Sequence, residues 1–182
     1  MLFDQGIDIP EALSGDALNI ALEPEKARFN VRVKSKDVAA FKKASGFKFP
    51  VKIGATAKTG TQLISKFGPD EWVISDDAKS REKIAKKLSK LAGQFVMSAT
   101  DISHRNIAFN VSGRLANEAV NIGCPLDLSL KSFPVGKATR TIFENAPIQL
   151  YRSGEDTFQI ECWRSFAPYM VDFWTAFSRD IA

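Results

Sequence analysis

The chain repeats its own pattern of secondary structure, and this duplication most constrains the fold that its 182 residues can adopt. Alternating apolar residues predict a strand over 28–34, and a helix follows it through residue 43. The same pattern returns 78 residues later, over 107–123. A second correspondence holds at an offset of 86 residues, where residues 68–74 match 154–160. Two copies of one supersecondary unit therefore make up most of the chain.

A helix follows each of the two segments matched at the offset of 86 residues, and the two helices have the same apolar face. The matched positions are Ile84, Leu88 and Leu91 in the first copy and Met170, Trp174 and Phe177 in the second. Each copy reads as strand, helix, strands and helix, which predicts an α+β fold of duplicated split βαβ (ferredoxin-like) units. We expect one domain over residues 1–182, built of two pseudo-repeats at about 28–100 and 105–178.

The remaining segments do not repeat. Residues 1–27 show no clear periodicity, and Pro10, Gly15 and Pro24 predict an N-terminal arm that lies over the core or over a partner. The change of offset from 78 to 86 places about eight extra residues within 123–136. Extra loop on a repeated scaffold is typical of partner-specific function.

The composition, 45% hydrophobic and 25% charged, is that of an ordinary globular protein. The apolar runs are too short for a membrane-spanning helix, and no basic leader precedes an apolar stretch near the start. Two cysteines, Cys124 and Cys162, make no disulfide framework. We therefore expect a cytoplasmic protein without a membrane partner.

The net charge of +4 is concentrated in one predicted helix, because residues 79–90 alone carry a net charge of +5. A solvated face, an acidic partner surface and RNA binding are the three interpretations. Recognition of RNA usually adds aromatic residues on which bases stack, and this helix has none. We expect no nucleic-acid partner, and a basic RNA-binding scaffold stays an alternative.

The only histidine, His104, lies in Asp101-Ile-Ser-His-Arg105, upstream of Cys124. A serine beside its own histidine is a poor geometry for nucleophile and base, and nothing in the sequence lowers the pKa of the cysteine. The histidine and cysteines miss the common zinc spacings, and no G-x-G-x-x-G loop occurs. We predict no catalytic, cofactor-binding or metal-binding residue in this chain.

The second marker is Gly68-Pro-Asp-Glu-Trp72. Gly-Pro followed by acidic residues is typical of a tight turn, and Trp72 begins an apolar strand that its indole would anchor. Adjacent residues of a strand point to opposite faces, so Asp70 and Glu71 cannot converge on one pocket. We therefore predict that this motif has a structural role and not a catalytic one.

Together these segments resemble the gamma subunit of heterotetrameric sarcosine oxidase, over about residues 60–178. The motifs that carry the resemblance, in order, are Gly68-Pro-Asp-Glu-Trp72, Asp101-x-Ser-His-Arg105, Gly123-Cys-Pro-Leu-Asp-Leu128, Phe133-Pro-x-Gly136 and Arg164-Ser-Phe-Ala-Pro-Tyr169. The resemblance implies a small, non-catalytic subunit of an oxidoreductase that demethylates sarcosine to glycine. The products are 5,10-methylenetetrahydrofolate or formaldehyde, together with hydrogen peroxide.

The resemblance also implies partners and cofactors. The partners are alpha and beta subunits, with a delta subunit where the complex has one. FAD, FMN, NAD and tetrahydrofolate belong to those partners, and this chain holds no cofactor. The residues that we assign to a partner interface are His104, Arg105, Cys124, Asp127 and Phe133.

Gamma subunits in turn resemble the folate-binding domain of the glycine-cleavage aminomethyltransferase. Residues 101–104, 111–113 and 75–83 fit its wider pattern, but Asp77 and Ile84 stand where that enzyme has an asparagine and an acidic residue. The resemblance thus implies the fold of that enzyme without its chemistry. A free-standing folate-binding, aminomethyltransferase-like protein is the alternative function.

Overall fold

The protein was analysed as a computed structural model that describes residues 6–180, which form ten strands and four α-helices. The first six strands are β1 (Asn19–Leu22), β2 (Lys26–Val33), β3 (Thr56–Thr59), β4 (Gln62–Lys66), β5 (Glu71–Asp77) and β6 (Met97–Asp101). The others are β7 (Asn106–Ser112), β8 (Ala138–Phe143), β9 (Ala146–Gly154) and β10 (Thr157–Trp163). The helices are α1 (Val38–Ser45), α2 (Arg81–Ala92), α3 (Ala116–Asn121) and α4 (Ala167–Asp180).

The strands form two five-stranded antiparallel sheets in two compact units. Unit 2 comprises Pro24–Arg105 with Gly136–Thr139, and unit 1 comprises the other described residues. That the two units together make one domain stays a prediction.

In unit 2 the strand order is β3-β4-β5-β2-β6. The chain runs from β2 through α1 and the edge strand β3 to β4, and β5 lies between β2 and β4 in the sheet, which is the split βαβ arrangement. The register pairs Phe29 with Ile74 and Val31 with Trp72. These residues form one buried core with Phe41 of α1 and the inner face of α2.

In unit 1 the strand order is β8-β9-β10-β7-β1, and each position has its counterpart in unit 2. Strands β5 and β10 have seven residues each and start 86 positions apart, at Glu71 and Thr157. Helices α2 and α4 start at the same offset. The predicted α+β fold of duplicated split βαβ units is confirmed.

One strand of unit 1 does not come from the equivalent part of the sequence repeat. The position that β6 occupies in unit 2 is filled in unit 1 by β1, which pairs Ile20 with Val111 of β7. Leu13, Leu18 and Ile20 are buried in the core of unit 1. Residues 19–22 of the predicted arm over 1–27 are thus an edge strand, while residues 1–5 of that arm lie outside the described part. A four-residue strand is too short to show a periodicity in the sequence.

The extra length of the second copy is found in two places. The segment between α3 and β8, residues 122–137, is longer than its counterpart between α1 and β3. Strands β8 and β9 are also longer than β3 and β4. The insertion that we placed within 123–136 is therefore shared between a connection and a hairpin. The offset alone could not separate these two sites.

No helix within residues 6–180 is long and apolar enough to cross a membrane. Cys124 and Cys162 are both buried, and neither of the two forms a disulfide.

Gly113, between β7 and α3, allows a test of the contact with the N-terminal segment. Its φ is +113°, and a Cβ would overlap the carbonyl oxygen of Ala17, which accepts a hydrogen bond from the Leu115 amide at 3.0 Å. We expect Gly113→Ala to lower the free energy of unfolding by about 1–3 kcal/mol through backbone strain and by a similar amount through the overlap. Urea unfolding followed by circular dichroism measures the change.

Gly136→Ala is the matched control, since Gly136 has a φ of +86° and open space around its Cβ position. This variant should carry the strain alone. Equal losses of stability in the two variants would contradict the packing of residue 17 against the β7–α3 turn.

Candidate functional site

The turn that follows β6 holds Ser103 in a structural role. Its hydroxyl donates to Asp101 Oδ1 at 2.6 Å and accepts from the Arg28 amide at 2.9 Å. The Ser103 amide donates to the same carboxylate oxygen at 2.9 Å. The side chain is buried, and it ties the end of β6 back to β2. The Ser103 hydroxyl thus donates at short range to a carboxylate oxygen that also accepts from the backbone, which is a structural arrangement.

The side chain of His104 lies next to a cation. Arg81, the first residue of α2, donates from Nε to Asp101 Oδ2 at 2.6 Å and lies 2.6 Å from His104 Nε2 through NH1. Because a guanidinium can only donate, Nε2 is the acceptor of this hydrogen bond. Burial disfavours the Asp101 carboxylate, but hydrogen bonds from Ser103 and Arg81 outweigh it and lower the pKa of Asp101. The cluster of Arg81, Asp101, Ser103 and His104 thus fixes the start of α2 to the end of β6.

Cys124 lies in unit 1, whereas His104 lies in unit 2. The thiol is buried beside Thr141 Oγ1, 3.9 Å from Sγ, and burial raises the pKa of Cys124. A thiol with a raised pKa is protonated at neutral pH and is a poor nucleophile. That the chain holds no catalytic residue stays a prediction, and the contacts of both side chains agree with it.

The 122–137 segment is folded into turns by two polar side chains. Asp127 accepts hydrogen bonds from the Ser129 amide at 2.9 Å and from the Ser132 hydroxyl at 2.5 Å, and these bonds lower the pKa of Asp127. Asn121 Nδ2 donates to the carbonyl oxygens of Cys124 and Leu126, at 3.0 and 2.7 Å. The turns direct Leu128 and Phe133 into the core of unit 1.

Arg152 of β9 holds this segment from its buried side. Its buried guanidinium donates from NH1 to the carbonyl oxygens of Leu128 and Phe133, at 2.5 and 2.9 Å. The other nitrogens donate to the carbonyl oxygens of Gly154 and Glu155 and to the Asn117 side chain. The guanidinium also lies 4.9 Å from the ring centroid of Phe158. A guanidinium has five N–H donors, and this surrounding of oxygens can use all of them.

Unit 2 also has a buried cation next to an aromatic ring at the equivalent positions. Lys66, 86 residues before Arg152, is buried and donates to the Val51 carbonyl oxygen at 2.9 Å. Its Nζ lies 4.8 Å from the ring centroid of Trp72, the residue equivalent to Phe158. Trp72 Nε1 donates to the Pro50 carbonyl oxygen at 3.0 Å, so both residues hold the connection from α1 to β3. The sequence reasoning did not identify this pair, although the same offset relates its members.

The predicted interface residues separate into two groups. Cys124 and Phe133 are 2% exposed, so their side chains belong to the core of unit 1. His104, Arg105 and Asp127 are exposed. The 122–137 segment also exposes two apolar side chains that we did not predict, Leu130 at 47% and Val135 at 48%.

Two solved structures share this fold. The heterotetrameric sarcosine oxidase from Corynebacterium sp. U-96, in complex with pyrrole 2-carboxylate, contains a chain that matches with a TM-score of 0.77 and 23% identity, over 91% of this chain and 88% of that chain. The glycine cleavage system aminomethyltransferase T from Bartonella henselae matches with a TM-score of 0.69 and 13% identity, over 90% of this chain and 47% of that chain. At these identities the likeness defines a class of fold, the duplicated α+β unit that both structures contain.

The sequence comparisons are more specific. Residues 33–180 match the model of the "Sarcosine oxidase, gamma subunit family", and the chain belongs to this family. Sarcosine oxidase subunit gamma of Corynebacterium sp. strain U-96 is 29% identical over 135 residues, which are 73% of this chain and 64% of the relative. The protein of the same name from Corynebacterium sp. strain P-1 is 30% identical over 73% of this chain and 65% of the relative. The chain thus spans just under two thirds of the length of these relatives. The resemblance that the five motifs predicted is confirmed.

The role of Arg152 can be measured directly. Arg152→Met removes the donors to two buried carbonyl oxygens of the 122–137 segment, and we expect it to lower the free energy of unfolding by about 3 kcal/mol. Lys66→Met is the matched variant in unit 2. It removes one donor, to the part-buried carbonyl oxygen of Val51, and should cost about 1 kcal/mol. Urea unfolding compares the two, and an Arg152→Met loss no larger than that of Lys66→Met would contradict the role of the guanidinium.

Proposed function

We propose that this chain is the small gamma subunit of a heterotetrameric complex of the sarcosine oxidase type. The observation that carries the proposal is the family match over residues 33–180. In this complex sarcosine, oxygen and tetrahydrofolate give glycine, 5,10-methylenetetrahydrofolate and hydrogen peroxide. Without folate, water takes its place, and the one-carbon unit leaves as formaldehyde.

The role of this chain in the complex is assembly, and the chemistry belongs to the partner subunits. Alpha and beta subunits hold FAD, FMN, NAD and the folate, and a delta subunit completes the tetramer. The surroundings of the candidate residues support this division. Arg81 NH1 donates to His104 Nε2, and burial raises the pKa of Cys124. The Asp101 carboxylate that accepts from Ser103 is a weak base, because hydrogen bonds from Ser103 and Arg81 lower its pKa. The proposed location is the cytoplasm, where cysteines such as Cys124 and Cys162 stay without a disulfide.

Purification from the native host tests membership of the complex. We expect the tagged chain to retain two larger subunits in a buffer near neutral pH. The eluate should show flavin absorbance and sarcosine-dependent oxygen uptake. Mass spectrometry identifies the retained chains by their dinucleotide-binding sequences. Elution of the chain without any flavoprotein would overturn the proposal.

We also propose that the exposed part of the 122–137 segment, with His104, Arg105 and Asp127, contributes to the partner interface. Exposed apolar side chains on a surface held rigid from below are typical of protein contacts. Leu130 and Val135 have this character, since Arg152 fixes the backbone between them and the core. Deleting the segment would be a poor test because Leu128 and Phe133 are core residues.

The double variant Leu130→Asp/Val135→Asp tests this surface. We expect it to lose the flavoprotein subunits in co-purification, because aspartates at a buried contact lack partners. The melting temperature of the isolated chain should change little, since both positions are exposed. Val51→Asp/Ile53→Asp makes the same change in the equivalent connection of unit 2, which is shorter and lacks the residues added in the second copy, and this control should retain the partners. Full retention by Leu130→Asp/Val135→Asp would contradict the proposed surface.

A free-standing folate-binding protein is the second candidate, and the fold shared with aminomethyltransferase T favours it. Ile84 opposes it, because this residue is 3% exposed in the core of unit 2 and supplies no carboxylate. Calorimetric titration with tetrahydrofolate separates the two functions. The gamma-subunit proposal expects no heat of binding to the isolated chain at high micromolar ligand.

A further inference from the structure

Helix α2 and the short 3-10 turn before it present a lysine face, which we define as Lys79, Lys83, Lys86, Lys87 and Lys90. With Glu82 these residues line one open cleft on the surface of unit 2. All five lysines are exposed, whereas the opposite side of the helix, with Ile84, Leu88 and Leu91, is buried. The lysine face can therefore change without disturbing the core.

The lysine face is only weakly neutralised within the chain. Lys86 lies 3.7 Å from Glu82 and Lys79 lies 3.8 Å from Asp77, and the two lysine side chains are 79% and 85% exposed. Exposed pairs of this kind contribute little to stability. Lysines three or four positions apart on the helix, such as Lys83, Lys86 and Lys90, also repel each other.

The duplicated fold does not require these charges. At an offset of 86 the equivalent positions, in α4 and the 3-10 turn before it, are Ser165, Tyr169, Asp172, Phe173 and Ala176. The same surface of the same supersecondary unit is thus basic in one copy and uncharged or acidic in the other. The packing of the unit therefore does not require the lysines of this helix face.

Lys87 alone has an additional structural contact. Its Nζ lies 4.2 Å from the ring centroid of Phe47 and 3.7 Å from the Cβ position of Gly46, at the C-terminal end of α1. A cation at the end of a helix stabilises it. Lys83, Lys86 and Lys90 are therefore the residues whose change reports on an external partner.

We infer that the lysine face docks onto an acidic surface of a partner subunit, and this inference rests on the proposed gamma-subunit function. Carboxylates of the partner would offset the repulsion among the lysines and would orient the subunit as it associates. RNA is the less suitable partner, because the Phe47 ring next to the face is half-buried and covered by Lys87.

The triple variant Lys83→Glu/Lys86→Glu/Lys90→Glu tests the inference in the co-expressed complex. We expect the retention of the flavoprotein subunits on the tagged chain to fall about tenfold at physiological salt. Retention by the unchanged chain should decline as sodium chloride rises, since salt screens exposed charges. The control Lys48→Glu/Lys52→Glu/Lys58→Glu makes the same change of net charge at exposed positions outside α2 and should retain the partners.

The outcomes separate the two proposals. Failure of the unchanged chain to retain flavoprotein overturns the gamma-subunit function, and this inference with it. Equal retention by the unchanged chain and the triple variant overturns only the docking of the lysine face. Nuclease-sensitive nucleic acid on the unchanged chain, lost in the triple variant, overturns the choice of an acidic protein partner.

Discussion

A buried cation over an aromatic ring holds each unit together at the same place. Arg152 over Phe158 in unit 1 and Lys66 over Trp72 in unit 2 both donate to carbonyl oxygens of the connection that precedes the sheet hairpin. A cation in a protein core is stable only when its hydrogen-bond donors are satisfied, so the connection and the cation depend on each other. Unit 1 uses an arginine, whose several donors can hold the longer 122–137 segment.

The same scaffold carries different surfaces in its two copies. In unit 1 the segment held by Arg152 exposes Leu130 and Val135, whereas in unit 2 helix α2 exposes lysines. The inner residues of both copies keep their apolar character, because they pack against a sheet of the same order. Duplication thus fixed the core and left the outer faces free to specialise for different contacts.

Much of this fold could be predicted from periodicity. The offset of 86 residues placed β5 with β10 and α2 with α4, because inward faces repeat wherever a core repeats. The pairing of Ile20 with Val111 could not be predicted, since β1 is short and its partner is distant in sequence. Nor could the contacts of Arg152, because backbone carbonyl acceptors leave no trace in the sequence. Nor did the sequence separate the buried Cys124 and Phe133 from the exposed His104, Arg105 and Asp127, because a motif does not show which of its side chains the fold buries.

The central claim is that this chain contributes contacts to a complex and leaves the reaction to other subunits. Sarcosine-dependent oxygen uptake by the assembled complex containing His104→Ala and Cys124→Ala together tests it most directly. The account predicts a kcat within about twofold of the unchanged complex, because neither side chain takes part in proton transfer or attack. Loss of a general base or nucleophile would instead lower kcat by about a hundredfold or more. Such a loss, in a complex that still contains all its subunits and flavins, would contradict the account.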